Sequence, residues 1–104
     1  MTESELQAGV LETAQALSWL RAHFRPARTA TGWRTPVEAD GKGFPDLVLV
    51  RAGRMKVVEL KGDGGKLSHE QELWLAAFST VPNVEVHVWS PAEWISGEIE
   101  TALR

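Results

Sequence analysis

A chain of 104 residues that is 43% hydrophobic and 24% charged has room for one core, and it reads as a single domain over residues 1–104. The absence of cysteine excludes a disulfide framework and any thiolate metal site, leaving oxygen or histidine ligands that suit Mg²⁺, Mn²⁺ or Ca²⁺. No apolar run approaches the ~20 residues that span a bilayer, the first residues lack the basic and apolar parts of a signal peptide, and the net charge of −3 is modest, so a cytoplasmic protein with no membrane partner is expected.

The first predicted element is a helix from about Glu3 to His23. Leu6, Val10, Thr13, Ala14, Leu17 and Leu20 recur at helical spacing. Thr2 is a good N-cap with Glu5 three residues later, the pattern of a capping box, which gives Glu5 a structural role. Glu3 lies one turn before Leu6 and Gln7, at the margin of the apolar stripe, so it is better placed than Glu5 to reach an interior site. The segment from Phe24 to Lys42 contains Pro26, Gly32, Pro36 and Gly41 and reads as a loop with one short strand at most; at about 18 residues it is long for a compact domain. From Thr13 to Val37 there is no acidic residue, while Arg21, His23, Arg25, Arg28 and Arg34 all fall there, so one side of an acidic protein is expected to be basic.

Two apolar strands follow, Gly43 to Val50 and Met55 to Lys61, joined by a tight turn at Arg51 to Arg54. They are apolar on both faces, as in the covered centre of a sheet. Alternation puts Val57, Glu59 and Lys61 on one face and Val58 and Leu60 on the other. Asp46 opens the first strand and Glu59 and Lys61 close the second, where burial of a charge costs several kcal/mol unless it is paired or holds a metal. A flexible connector, Gly62 to Leu67, leads to a helix capped by Ser68 and running to about Phe78, with Gln71 at its third position and Leu73, Trp74, Ala77 and Phe78 as its apolar face. Val84 to Trp89 alternates as a strand. Ser90-Pro91-Ala92-Glu93 then starts a last helix that reaches about Leu103 and carries Trp94, Ile95, Ile99 and Leu103 on one side. Trp19, Trp74, Trp89 and Trp94 are read as core, His23 and His87 as partly buried and His69 as exposed. The order is α-β-β-β-α-β-α, an α/β fold with a small mixed β-sheet flanked by helices.

The chemistry is concentrated in Pro45-Asp46 and Glu59-Leu60-Lys61. Two carboxylates on adjacent strands can hold divalent ions that take a phosphate oxygen and acidify bound water. A lysine on the same face can orient that water and offset charge developing on the phosphate. Together with Gly43-Phe44-Pro45-Asp46-Leu47 and Lys66-Leu67-Ser68-His69-Glu70-Gln71, and a glutamate-rich first helix, the pattern resembles the VRR-NUC branch of the PD-(D/E)XK nucleases, most closely the stand-alone bacteriophage domains. The resemblance covers nearly the whole chain. It implies a restriction-endonuclease-like fold, a Mg²⁺ or Mn²⁺ site and cleavage of DNA phosphodiesters, often at flaps, branches or four-way junctions. It makes Asp46 and Glu59 metal ligands, Lys61 the catalytic lysine, Gln71 a site residue from the following helix and Glu3 the first-helix carboxylate, with Glu5 second. Stand-alone members commonly dimerise, so a homodimer is expected, and a phage-encoded copy would act in the bacterial cytoplasm. Arg25, Arg28, Arg34, Lys42 and Lys66 are the candidates for contacts to DNA phosphates. The alternative is a DNA-binding or regulatory module that keeps the fold without catalysis. Gly9, inside the first helix, departs from good helix-forming composition at a cost of about 1 kcal/mol relative to alanine.

Overall fold

The computed structural model describes residues 1–24, 27–29, 32–34 and 38–104, the two short central stretches by their backbone alone. The elements are α1 (Glu3–Ala16), β1 (Leu20–His23), β2 (Ala27–Thr29), β3 (Gly32–Arg34), β4 (Leu47–Arg51), β5 (Arg54–Leu60), α2 (His69–Ser79), β6 (Val84–Trp89), α3 (Pro91–Ile95) and α4 (Glu98–Leu103). The main sheet has the order β1-β4-β5-β6; β2 and β3 form a separate antiparallel ribbon. β4 and β5 are an antiparallel hairpin in the middle of the sheet, turned by Ala52 and Gly53, both at positive φ, the geometry that matches strand twist. β5 and β6 run parallel, with α2 as the crossover between them. This is the expected small mixed sheet with flanking helices, a restriction-endonuclease-like α/β organisation.

Alternation along the strands sorts the two faces. Leu47, Leu49, Val58, Leu60 and Trp89 project to one face, where Leu6, Val10 and Ala14 of α1 and Ile99 and Leu103 of α4 complete the core. Val57 and Glu59, both buried, point to the other, toward α2. The apparent flaw at Gly9 has a packing reason: the Trp94 ring of α3 lies against it, and a Cβ there would stand 2.8 Å from that ring.

Four expectations need correction. α1 ends at Ala16, not His23: Ser18 takes a left-handed φ of 67°, Trp19 turns into the core and donates from Nε1 to the Leu103 carbonyl at 2.8 Å, and residues 20–23 pair with β4. Leu20, the last member of the supposed stripe, is 76% exposed. The extra strand of the main sheet is therefore β1, ahead of the long loop, while the loop itself carries β2 and β3. The first hairpin strand begins at Leu47 rather than Gly43, because residues 41–44 turn to seat against α2. α2 buries Leu75, whereas Leu73 is 56% exposed, so the predicted apolar face is rotated. The last helix breaks at Gly97 (φ 84°) into α3 and α4, which leaves Ile95 exposed and lets α4 turn Ile99 and Leu103 inward.

At the sheet end away from Glu59, Lys56 is buried on the α1 face. Its ammonium donates to Glu85 Oε1 at 3.1 Å and to His87 Nε2 at 2.9 Å, across the parallel β5–β6 pair. His87 accepts at Nε2, so its proton sits on Nδ1. Burial and then the Lys56 charge push the imidazole pKa down to about 4. Arg51 closes the same end by donating to the carbonyls of Leu17, Leu103 and Arg104, with its guanidinium 4.3 Å over the Trp19 ring.

Gly43 and Gly97 share a φ of 84° but differ in surroundings. A Cβ on Gly43 would stand 2.6 Å from the backbone carbon of Glu70, whereas nothing lies within 4 Å of one on Gly97. Gly43→Ala is thus expected to lower stability by roughly 2–4 kcal/mol, combining φ strain with displacement of the start of α2, and Gly97→Ala by about 1 kcal/mol. Paired chemical denaturation of the two variants measures the difference; equal losses would place no close packing at Gly43.

Candidate active site

The site forms where the hairpin meets the start of α2. Pro45 and Asp46 immediately precede β4, and the backbone N–H of Leu60, at the end of β5, donates to Asp46 Oδ2 at 2.8 Å. That bond holds the aspartate across the hairpin beside Glu59. Glu59 is 1% exposed, although it is a carboxylate in the middle strand of the sheet. Gln71 reaches it from the first turn of α2 and donates from Nε2 to Glu59 Oε1 at 3.0 Å. The other oxygen, Oε2, is buried and, among the described residues, engaged by no N–H donor.

Gln71 has a second task. Its Oε1 accepts from the Ser68 backbone N–H at 2.9 Å while the Ser68 hydroxyl accepts from the Gln71 N–H at 3.2 Å, so both halves of a capping box are present. Gln71 therefore completes the cap of α2 and contacts Glu59 at the same time. Gly43 permits the arrangement, because only a residue without Cβ lets the 41–44 turn lie against Glu70 and Gln71.

Lys61 follows β5 and is half-buried; its backbone N–H donates to the Trp89 carbonyl at 2.9 Å. Its stem lies along the backbone of Gly65, where a Cβ would stand 3.3 Å from Lys61 Cβ. Glu3 starts α1 next to Gly62: a Cβ on that glycine would be 3.7 Å from Glu3 Cβ. Glu3 is exposed, but its charge is among those felt by Glu59. Glu5 instead closes the Thr2 capping box, donor and acceptor both engaged, at 2.9 and 3.0 Å. The first-helix carboxylate on the side of the site is Glu3.

Burial is the main cause that pushes the Glu59 pKa up to about 8. The Asp46 charge and a hydrogen bond shared with Asp46 add to it, the Lys61 ammonium opposes it, and Glu3 adds a smaller push. The Glu59 carboxyl, dry and beside the Asp46 charge, is therefore mostly protonated at neutral pH. A cation bound here would displace that proton, and Oε2, which no N–H donor engages, would be an oxygen for it to use. Asp46 and Glu59 are the residues able to hold one. Among the described residues no set of three histidine or carboxylate side chains is gathered tightly enough to form a complete protein cage. A small hard ion that keeps several waters fits a two-carboxylate site.

The proposed phosphate contacts are less assembled. Lys42 is 83% exposed and pairs with Glu70 at 3.4 Å, an exposed pair of little energetic weight. Lys66 is exposed in the connector after Lys61. The side chains of Arg25, Arg28 and Arg34 lie outside the described residues. What the sequence reading missed is the Leu60 N–H as the group that fixes Asp46; the antiparallel register is its signal, because Leu47 pairs with Val58 and so brings Asp46 level with the end of β5.

A buried glutamate beside a half-buried aspartate at the end of a central hairpin, with a lysine two residues on, defines a restriction-endonuclease-like domain with a candidate hydrolytic site. The match to the VRR-NUC domain covers residues 6–90, most of the chain, and the chain belongs to that family of nuclease domains. The matched span contains Asp46, Glu59, Lys61 and Gln71 and begins beyond Glu3. A Fanconi-associated nuclease 1 homolog from Caenorhabditis elegans is 54% identical over 39 residues, which is 36% of this chain and 4% of that much longer protein.

The raised proton affinity of Glu59 carries a sign. A glutamate whose pKa rises from 4.5 unfolded to about 8 folded binds more protons in the fold, so its contribution to stability is present at low pH and is lost as pH rises through that window. In the presence of chelator, Glu59→Gln is expected to be more stable than wild type at pH 8 by about 1–4 kcal/mol, at ~1.4 kcal/mol per unit, with the gap closing near pH 4.5. Thermal unfolding across this range checks it; a variant less stable at pH 8 would contradict a desolvated carboxylate.

Proposed function

We infer that this domain is a divalent-metal-dependent DNA endonuclease of the PD-(D/E)XK type that uses Mg²⁺ or Mn²⁺ and acts on branched, flapped or four-way DNA. The observation that carries the reading is Glu59: a buried carboxyl group with one oxygen that no N–H donor engages, set against Asp46, on the strand that leads into Lys61. Such a group costs several kcal/mol to keep in a core and is stabilised there by a cation.

In this reading Asp46 and Glu59 hold the ion, and Glu3 contributes a further carboxylate from the start of α1. The ion, when bound, supplies Lewis acidity toward a phosphate oxygen and an acidified water. Lys61, its stem fixed against Gly65, places its ammonium beside the scissile phosphate, where it orients the attacking water and offsets charge on the phosphate oxygens. Gln71 keeps Glu59 in its rotamer. Lys42 and Lys66 stand at the rim of the same end of the molecule, suited to backbone phosphates, and Arg25, Arg28 and Arg34 extend that reading. A homodimer would bring two sites to one junction. The reading as a nuclease draws support from the local likeness, over 39 residues, to the Fanconi-associated nuclease homolog.

Purified protein with Mn²⁺ is expected to cut at least one of flapped, splayed or four-way DNA, and Asp46→Asn and Lys61→Ala to lower the rate by about 10²-fold or more. Gel analysis of end-labelled substrates measures this, and light scattering of the same preparation reports whether it dimerises. Intact DNA under conditions where an unrelated nuclease cuts would favour the non-catalytic module, and cutting that survives both substitutions would expose a contaminant.

A further inference from the structure

The arrangement around Gln71 determines more than the start of a helix. A glutamine side chain offers one acceptor and one donor end. The acceptor end is pinned by the Ser68 backbone N–H, a group that can only donate, at 2.9 Å. The amide therefore cannot flip, and its NH₂ must face Glu59 Oε1, where it donates at 3.0 Å. That bond takes one oxygen of Glu59 and leaves Oε2 as the one that, among the described residues, no N–H donor engages. Across the hairpin the Leu60 N–H takes Oδ2 of Asp46 at 2.8 Å. Each carboxylate thus has one oxygen engaged by a fixed N–H donor, and an oxygen already accepting such a bond is a poorer cation ligand than one that is not.

We propose that Gln71 is a positioning residue that makes Glu59 a one-oxygen ligand and thereby tunes the site for small octahedral cations, Mg²⁺ or Mn²⁺, against Ca²⁺. The physical basis is coordination demand. Ca²⁺ takes six to eight oxygens and readily uses both oxygens of a carboxylate, whereas Mg²⁺ and Mn²⁺ are satisfied by single oxygens and retained water. A carboxylate whose second oxygen is tied down discriminates against the larger ion. Ser68 supports the device in two ways: its N–H orients the amide, and its hydroxyl fixes the first turn of α2 from which Gln71 projects. This inference rests on the metal-site reading given above.

Isothermal titration with MnCl₂ and with CaCl₂ on the metal-free full chain tests it without reference to activity. Wild type is expected to bind Mn²⁺ at a site lost in Asp46→Asn, and to prefer it to Ca²⁺. In Gln71→Ala both Glu59 oxygens are released, and in Gln71→Glu an added carboxylate replaces the amide donor while the acceptor for Ser68 N–H remains. Both are expected to narrow the Mn²⁺-to-Ca²⁺ affinity ratio by about ten-fold or more, the usual size of an effect exerted through a ligand's hydrogen-bond partner. Gln71→Glu preserves the capping box and carries the test should Gln71→Ala fold poorly. An unchanged ratio in a folded variant overturns the role assigned to Gln71 while leaving the metal site standing. Wild-type protein that binds no Mn²⁺ removes the metal site itself, and this inference with it.

Discussion

Glu59 is the constraint on which the rest of the site depends. A carboxylate on the central strand loses its hydration, and a second carboxylate beside it makes ionisation harder still, which together push its pKa to about 8. The surroundings compensate only in part. One amide donor meets one oxygen, and a lysine two residues along offsets some of the charge. For that amide to arrive, α2 must begin where it does; for α2 to begin there, residue 43 must lack a side chain; and for Asp46 to face Glu59, the strand register must bring it level with the end of β5, within reach of the Leu60 N–H. The architecture converges on a group that it leaves incompletely satisfied.

The opposite end of β5 supplies the contrast. Lys56 is buried as deeply as Glu59, yet its ammonium has Glu85 and His87 as partners and the Trp19 ring 5.6 Å away. Burial of charge is common to both ends, but among the described residues the carboxylate end keeps a buried oxygen, Glu59 Oε2, that no N–H donor engages. The lysine end knits β5 to β6 and closes the core, whereas the carboxylate end is the one proposed to take a cation. Unsatisfied burial is what separates a candidate site from a structural ion pair.

Much of this was legible in the sequence where the determinants are local. The capping boxes at Thr2 and Ser68 depend on residues three apart, and both are present. The hairpin follows from two apolar runs and a short turn, and the common face of Glu59 and Lys61 from strand alternation. Glu5 was correctly given to the cap, which left Glu3 nearer the site. The failures are non-local. Nothing within residues 17–23 reveals that the exposed edge of β4 recruits them as a strand, and a helical repeat that is genuine through Ala14 extrapolates smoothly past its end. The break at Gly97 follows from the need to turn Ile99 and Leu103 into the core beneath α1, and the rotation of α2 toward Leu75 from the position of the sheet. Nothing beside Lys56 in the chain marks it as buried, because its partners Glu85 and His87 come alongside only through the parallel pairing.

The central claim is that Asp46 and Glu59 form a cation site whose second oxygens are held by Leu60 N–H and Gln71. Its most direct test is a crystal structure of the protein soaked in Mn²⁺, with anomalous diffraction used to locate the ion. The account predicts an anomalous peak within ligand distance, about 2.0–2.3 Å, of one oxygen each of Asp46 and Glu59, with the Gln71 amide still bonded to the other Glu59 oxygen. Well-ordered crystals in which Mn²⁺ occupies other positions while Glu59 keeps its metal-free contacts would contradict it.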